Sequence, residues 1–312
     1  MKENFAIIFP GQGSQKVGML AEYSESEVFQ NTFAQASEAL GYDLWQTAQE
    51  GPQEKLNQTE ITQPLMLTSS IALWRIWQEK NGASPALMAG HSLGEWSALV
   101  AAEVVDFQDA VKIVRARGQY MQEAVPQGEG AMAAIIGLDD EVVEKVCKEN
   151  SEGGVVSPVN YNSPGQLVIA GSAANVAQAI EALKEAGAKK AMPLPVSAPF
   201  HTSLMKPAAD RLEAQIMETV FNAPKIPVVH NVHAQTETDP EKIKALMVEQ
   251  IFSPVRWVGC VEALVSNGIE TTLECGPGKV LCGLNRRINK SISSNASDTP
   301  ETLDASLAAI SE

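Results

Sequence analysis

Ser92 lies in Gly90-His91-Ser92-Leu93-Gly94. This is the G-x-S-x-G spacing that lifts a serine on a sharp turn between a strand and a helix. The flanks suit that turn. Pro85 to Gly90 reads as a short strand, and Leu93 to Ala102, rich in Ala and Leu, reads as a helix. Glycines on both sides of the serine permit close backbone approach. A serine so placed stands at the positive end of the following helix, and the backbone N–H of Leu93 is free to face a developing oxyanion. The pattern alone fits a helix-capping serine as well.

A neutral hydroxyl is a poor nucleophile and needs a base. Four histidines are available: His91, His201, His230 and His233. His91 adjoins the serine, but neighbouring residues on such a turn point apart. His230 and His233 lie near a strand end and read equally as core or surface residues. His201 closes the loop Ser197-Ala198-Pro199-Phe200-His201, where the large unit resumes, and loops on rigid scaffolds often carry catalytic groups. Position alone fits a catalytic base and a structural loop histidine equally.

Other chemistries find little support. Cys147, Cys260, Cys275 and Cys282 form no Cys-x-x-Cys pair and have no histidine at metal spacing, so they read as reduced, buried thiols. Gly11-Gln12-Gly13 lacks the third glycine of a dinucleotide fingerprint, since position 16 is Lys16. Gly276-Pro277-Gly278-Lys279 lacks P-loop spacing. Both read as tight turns, and no cofactor or metal is expected.

Elements that could position these groups follow from periodicity. Phe5 to Phe9 is a buried strand, and Pro64 to Glu79 a mostly buried helix. Such alternation predicts a parallel sheet covered by helices. From Ala131 to Pro195 the order becomes β-α-β-β-α-β, a ferredoxin-like arrangement. Its first helix, Asp139 to Asn150, is expected to turn Val142, Val143 and Val146 inward. Its central turn is Asn162-Ser163-Pro164-Gly165. The fold class is therefore α/β, with a large unit over 1–127 and 197–290 and a small unit over 128–196. Residues 291–312, rich in Ser, Thr, Asp and Ala, read as a mobile tail without chemistry.

The 312 residues are 45% hydrophobic and 20% charged, ordinary globular usage, and carry a net charge of -15. That charge disfavours nucleic acid as a partner. Met1 to Glu3 does not begin a secretory signal, and no apolar stretch is long enough for a membrane span, so a cytoplasmic location without membrane attachment is expected.

Six motifs recur together and in order: Pro10 to Gln15, Thr62-Gln63-Pro64, Gly90 to Glu95, Arg115-Ala116-Arg117-Gly118, Ser197 to His201, and Glu274 to Leu281. Over roughly Lys2 to Asn289 the chain closely resembles the malonyl-CoA:acyl carrier protein transacylases of bacterial fatty-acid synthesis. The resemblance implies a hydrolase-like α/β core with an inserted ferredoxin-like subdomain. It implies a ping-pong transfer of malonyl from malonyl-CoA to the thiol of acyl carrier protein through an ester on Ser92. His201 would be the base, oriented by a backbone carbonyl at Gln250. The N–H groups of Gln12 and Leu93 would form the oxyanion hole. Arg117 would hold the malonyl carboxylate, Gln63 would help to fix that arginine and the malonyl group, and Asn162 and Gln166 would line the cleft. Helical spacing alone leaves Arg115 and Arg117 undecided, on opposite flanks of a face made by Val111, Val114, Gly118 and Met121; the resemblance selects Arg117.

One local departure stands before the base. Phe200 occupies a position where several single-protein members carry a small residue. Acyltransferase domains of modular synthases with Phe-His there go with malonyl rather than branched substrates.

Thioester exchange suits these groups. A histidine serves both as base and as acid near neutral pH. A guanidinium grips a carboxylate through two parallel bonds, and acetyl would leave it buried and unpaired. Acyl carrier proteins are typically acidic, so Lys189-Lys190, Lys206, Lys225 and Arg286-Arg287 with Lys290 are candidate contacts. A hydrolase would share the serine and histidine without needing the arginine, and an inactive docking scaffold would need none of them.

Overall fold

The apolar run Phe5–Phe9 forms β1, and both of its faces are buried. Such a run is what the middle of a parallel sheet requires. The computed structural model describes residues 4–196 and 198–311. Ser197, with the large unit's expected boundary, and the extreme ends lie outside the described residues.

After β1 come α1 (Glu27–Leu40), α2 (Leu44–Glu50), α3 (Gln53–Leu56), α4 (Thr59–Glu79), β2 (Leu87–Gly90), α5 (Leu93–Ala101) and α6 (Phe107–Glu123). Next are β3 (Gly130–Ile136), α7 (Asp140–Glu149), β4 (Val156–Ser163), β5 (Gln166–Ser172), α8 (Ala173–Glu185) and β6 (Lys190–Pro193). Then follow α9 (Lys206–Glu218), β7 (Val228–Val229), α10 (Pro240–Glu249), α11 (Trp257–Ser266), β8 (Thr271–Glu274), α12 (Val280–Ile288), β9 (Ser293–Ala296) and α13 (Pro300–Ser311).

The large sheet has the order β7-β2-β1-β8-β9, and every pairing is parallel. The carboxyl ends of β1, β2, β7 and β8 therefore meet along one edge, which is where open α/β sheets bind ligands. The small sheet has the antiparallel order β4-β5-β3-β6, with α7 and α8 sharing its core. This is the expected βαββαβ arrangement. Val255, just before α11, pairs with β4 of the small sheet: its N–H donates to Val159 O, and its carbonyl accepts from Tyr161 N–H.

Three details differ from the sequence reading. The buried helix begins at Thr59, so Pro64 lies inside it; Ile61, Thr62 and Gln63 are already buried there, and packing overrides the proline. In α7, Val142 is exposed and Cys147 takes the inward place, because a 3.6-residue turn joins 143, 146 and 147 on one face. Residues 291–311 do not form a mobile tail. β9 pairs with β8 from Thr271↔Ser293 to Glu274↔Ala296, and Leu303 and Ile310 of α13 are fully buried. An edge strand of Ser and Asn is held by backbone bonds, so it carries no apolar pattern to read.

No helix among the described residues is long and apolar enough to cross a membrane.

Candidate active site

The chain turns from β2 to α5 at Ser92, where φ is 51° and ψ is -108°. This is a strained conformation for a residue with a side chain. Its neighbours must be small. A Cβ on Gly90 would run into the carbonyl of Gly94, and one on Gly94 into the carbonyl of Phe9. Gly11 packs as tightly, since its Cβ would stand 2.6 Å from His91 O. That contact brings the Pro10-Gly11-Gln12 loop, at the end of β1, against the turn.

His201 arrives from the loop before α9, in a left-handed conformation with φ 63°. Its Nε2 lies 2.7 Å from Ser92 Oγ. Its Nδ1 lies 2.9 Å from the main-chain oxygen of Gln250, at the end of α10. A carbonyl only accepts, so Nδ1 carries the proton and Nε2 is free to accept from the hydroxyl. Burial, and then the positive charge of Arg117, hold the imidazole down to about 3. It is therefore neutral at physiological pH.

Arg117 projects from the buried face of α6 and is 1% exposed. Its Nη1 donates to Gln63 Oε1 at 2.8 Å, and its Nη2 donates to Gln250 Oε1 at 2.9 Å and to Ser92 Oγ at 3.2 Å. Among the described residues no carboxylate lies within ion-pair distance of it. Burial pushes the guanidinium down to about 10, opposed by the charge of Glu95, so it remains a cation near neutrality. A buried cation touching a hydroxyl, and held only by neutral amides, is arranged to receive an anion. Arg115, on the other flank, is exposed and donates to Leu40 O at 3.1 Å.

Other residues singled out from sequence also meet here. Gln63 donates to Gln12 Oε1 at 3.3 Å, which ties α4 to the β1 loop. Asn162 reaches from β4 to His91, with Oδ1 2.8 Å from Nε2. Among the described residues, the N–H groups of Gln12 and Leu93 have no protein acceptor. Gln166 stands apart: its Oε1 accepts from Arg287 at 2.7 Å on the exposed face.

Sequence reasoning missed the polar group beneath the turn. Glu95, fully buried in α5, accepts from Gln250 Nε2 and from His230 Nδ1, each at 2.7 Å, and from Asn231 N–H at 3.2 Å. His230 thus resolves as a core residue. The available signal was a carboxylate within an Ala/Leu helix and two polar residues directly after β7. Gln250 adds a side-chain role to its carbonyl. Its amide accepts from Arg117 and donates to Glu95 and, at 3.0 Å, to Ser92 O.

The chain resembles known proteins along nearly its whole length. The family model for the acyl transferase domain matches residues 6–301. The malonyl CoA-acyl carrier protein transacylase of Escherichia coli K12 is 55% identical over 304 residues, covering 97% of this chain and 98% of the relative. A crystal structure of an acyl carrier protein S-malonyltransferase from Vibrio cholerae is 56% identical, with a TM-score of 0.95, covering 97% of this chain and 99% of that one. A malonyl-transacylase in complex with its type II PKS acyl-carrier protein is 51% identical, with a TM-score of 0.97, covering 98% of this chain and 99% of that one. By near-full-length likeness in both sequence and fold, the chain belongs to the malonyl CoA-acyl carrier protein transacylase family of acyl transferases.

Proposed function

We propose that the chain transfers malonyl from malonyl-CoA to the thiol of acyl carrier protein, for fatty-acid synthesis, through an ester on Ser92. The observation that carries this reading is Arg117, a buried guanidinium with no carboxylate partner among the described residues, 3.2 Å from Ser92 Oγ. A hydrolase of neutral acyl esters has no use for that charge.

In the first half, malonyl-CoA places its free carboxylate against Arg117. His201 Nε2 takes the Ser92 proton as Oγ attacks the thioester carbon. The N–H groups of Gln12 and Leu93 receive the oxyanion. The C–S bond then breaks, and the imidazolium returns the proton to the departing CoA sulfur. In the second half the thiol of the carrier gives its proton to His201, its sulfur attacks the ester carbon, and Ser92 recovers the proton as the ester opens. Pairing Arg117 with the malonyl carboxylate also lifts the positive field from His201. The base therefore strengthens when the diacid is bound. Asn162 borders the approach from the small sheet, whereas Gln166, expected to line the cleft, holds Arg287 instead.

Charge on the surface suits an acidic carrier. Lys206 is paired with Asp210, and Lys225 with Glu103. Lys189, Lys190, Arg286 and Lys290 have no carboxylate partner among the described residues, and Arg287 holds only Gln166. Lys190 and Gln166 both flank Ile136 across the small sheet, which places Lys190 and Arg287 at one end of it. Changing both Arg287 and Lys290 to Glu should raise the KM for carrier protein about tenfold at low salt, and leave transfer to a small neutral thiol such as pantetheine nearly unchanged. Steady-state assays with both acceptors over a salt series check this. The four buried, unpaired thiols accord with a cytoplasmic location.

The direct test is intact-mass analysis after mixing with malonyl-CoA. A single malonyl adduct should form on Ser92 and vanish when carrier protein or a thiol is added, with little free malonate released in their absence. Rapid malonate release without an acceptor would make the chain a hydrolase, and no adduct at any time would make it a scaffold.

A further inference from the structure

The β2–β7 ladder pairs Met88 with Val228 and Ala89 with Val229, and then the backbone of β2 turns away into Ser92. The turn leaves two main-chain groups without a backbone rung: the carbonyl of Gly90 and the N–H of Ser92. Both are met by one side chain. Asn231 Nδ2 donates to Gly90 O at 2.7 Å, and Asn231 Oδ1 accepts from Ser92 N–H at 2.8 Å. Asn231 itself is fully buried, and its N–H is anchored on Glu95 Oε2 at 3.2 Å.

We propose that Asn231 is a positioning residue for the transfer, its side-chain amide replacing the missing rung so that the left-handed Ser92 turn stays cocked with Oγ on His201. The assignment rests on Ser92 being the nucleophile. Geometry makes the amide specific. One end must donate and the other accept, at a spacing fixed by the planar carboxamide. A carbonyl and an N–H on the same face of a sharp turn would otherwise be buried without partners. Water is a poor substitute there, because Cys260 Sγ lies 3.9 Å from Nδ2 and closes the same space. The bond also commits the N–H of Ser92, so that group is unavailable to an oxyanion and leaves the task to Leu93 and Gln12.

Two variants test this, with the wild-type adduct on Ser92 as the control. If wild type forms no adduct, the functional reading fails, whatever the variants do. Asn231→Ala should slow single-turnover acylation by malonyl-CoA about 10²-fold, the usual effect of slight misplacement of a reacting group, with little change in KM. Asn231→Asp keeps the shape. Protonated, its hydroxyl donates to Gly90 and its carbonyl accepts from Ser92; ionised, it cannot donate. It faces Glu95, His230 and Cys260 directly, and Arg117 and His201 across Gln250. Burial and the Glu95 carboxylate favour its protonated form. Its acylation rate should therefore approach wild type at low pH and fall as pH rises, through an ionisation that wild type lacks. Wild-type rates for the Ala variant at a temperature where it is folded would overturn the proposal. If that variant does not fold, a pH profile of the Asp variant parallel to wild type would overturn it. A merely structural role would lower Tm and move neither reading.

Discussion

Ser92→Ala should yield a folded protein that forms no malonyl adduct and transfers malonyl at least about 10⁴-fold more slowly than wild type. Among the described residues, the lost oxygen is the only atom that both accepts from Arg117 and donates to His201. The turn itself does not depend on that oxygen. It is held through the main chain, by Asn231 on Ser92 N–H and by Gln250 on Ser92 O. Alanine in the same left-handed conformation carries the same strain, so Tm should change little. Any residual transfer would come from the oxyanion donors and from binding. Intact mass, an acyl-transfer assay and a thermal melt read the three expectations separately. A malonyl adduct that persists on the Ala variant would move the nucleophile elsewhere.

Arg117→Ala should cost malonyl transfer about 3 kcal/mol, or about 10²-fold, while acetyl transfer changes far less. The cation is buried and, among the described residues, meets only neutral oxygens; under the proposed function the substrate carboxylate becomes its partner. Its removal should also appear in the pH profile. Arg117 is the second cause, after burial, of the depressed His201 pKa. Without it the imidazolium is stabilised and the pKa rises toward its ordinary value. The acid limb of kcat/KM should then lie at higher pH in the variant than in wild type. Arg117→Lys controls for the cavity and for the orphaned Gln63 and Gln250 oxygens. It retains the charge without the fork, and should fall between the two. Competition between malonyl-CoA and acetyl-CoA across pH measures both effects. Equal losses on the two acyl groups, or an unmoved acid limb, would remove Arg117 from substrate selection.

Much of this was legible in one dimension. The turn that raises Ser92 is written in consecutive residues, because Gly90, Ser92 and Gly94 set both its dihedrals and its clearance. The small sheet was legible because its strands and helices change period at clear boundaries. The helix Glu27–Leu40 carries its own signal, with Phe29, Phe33, Ala36 and Leu40 at helical spacing on its buried face, and Leu303, Leu307 and Ile310 likewise mark α13. The strand β9 is different, since Ser293 to Ala296 carries no strand signal and pairs only because β8 offers an open edge.

The linear chain specified local geometry: which segments coil, which extend, and where a serine is raised. It could not specify which of two arginines on α6 meets Ser92, nor that Gln250, Glu95 and Asn231 would close around it. Those groups lie 25 to 158 residues from their partners, and each is a single polar residue without periodicity. What joins them is the parallel sheet, which gathers the ends of distant strands on one edge. The partners of a buried polar group are chosen by whatever donors and acceptors that edge brings within reach, and this is a property of the assembled fold.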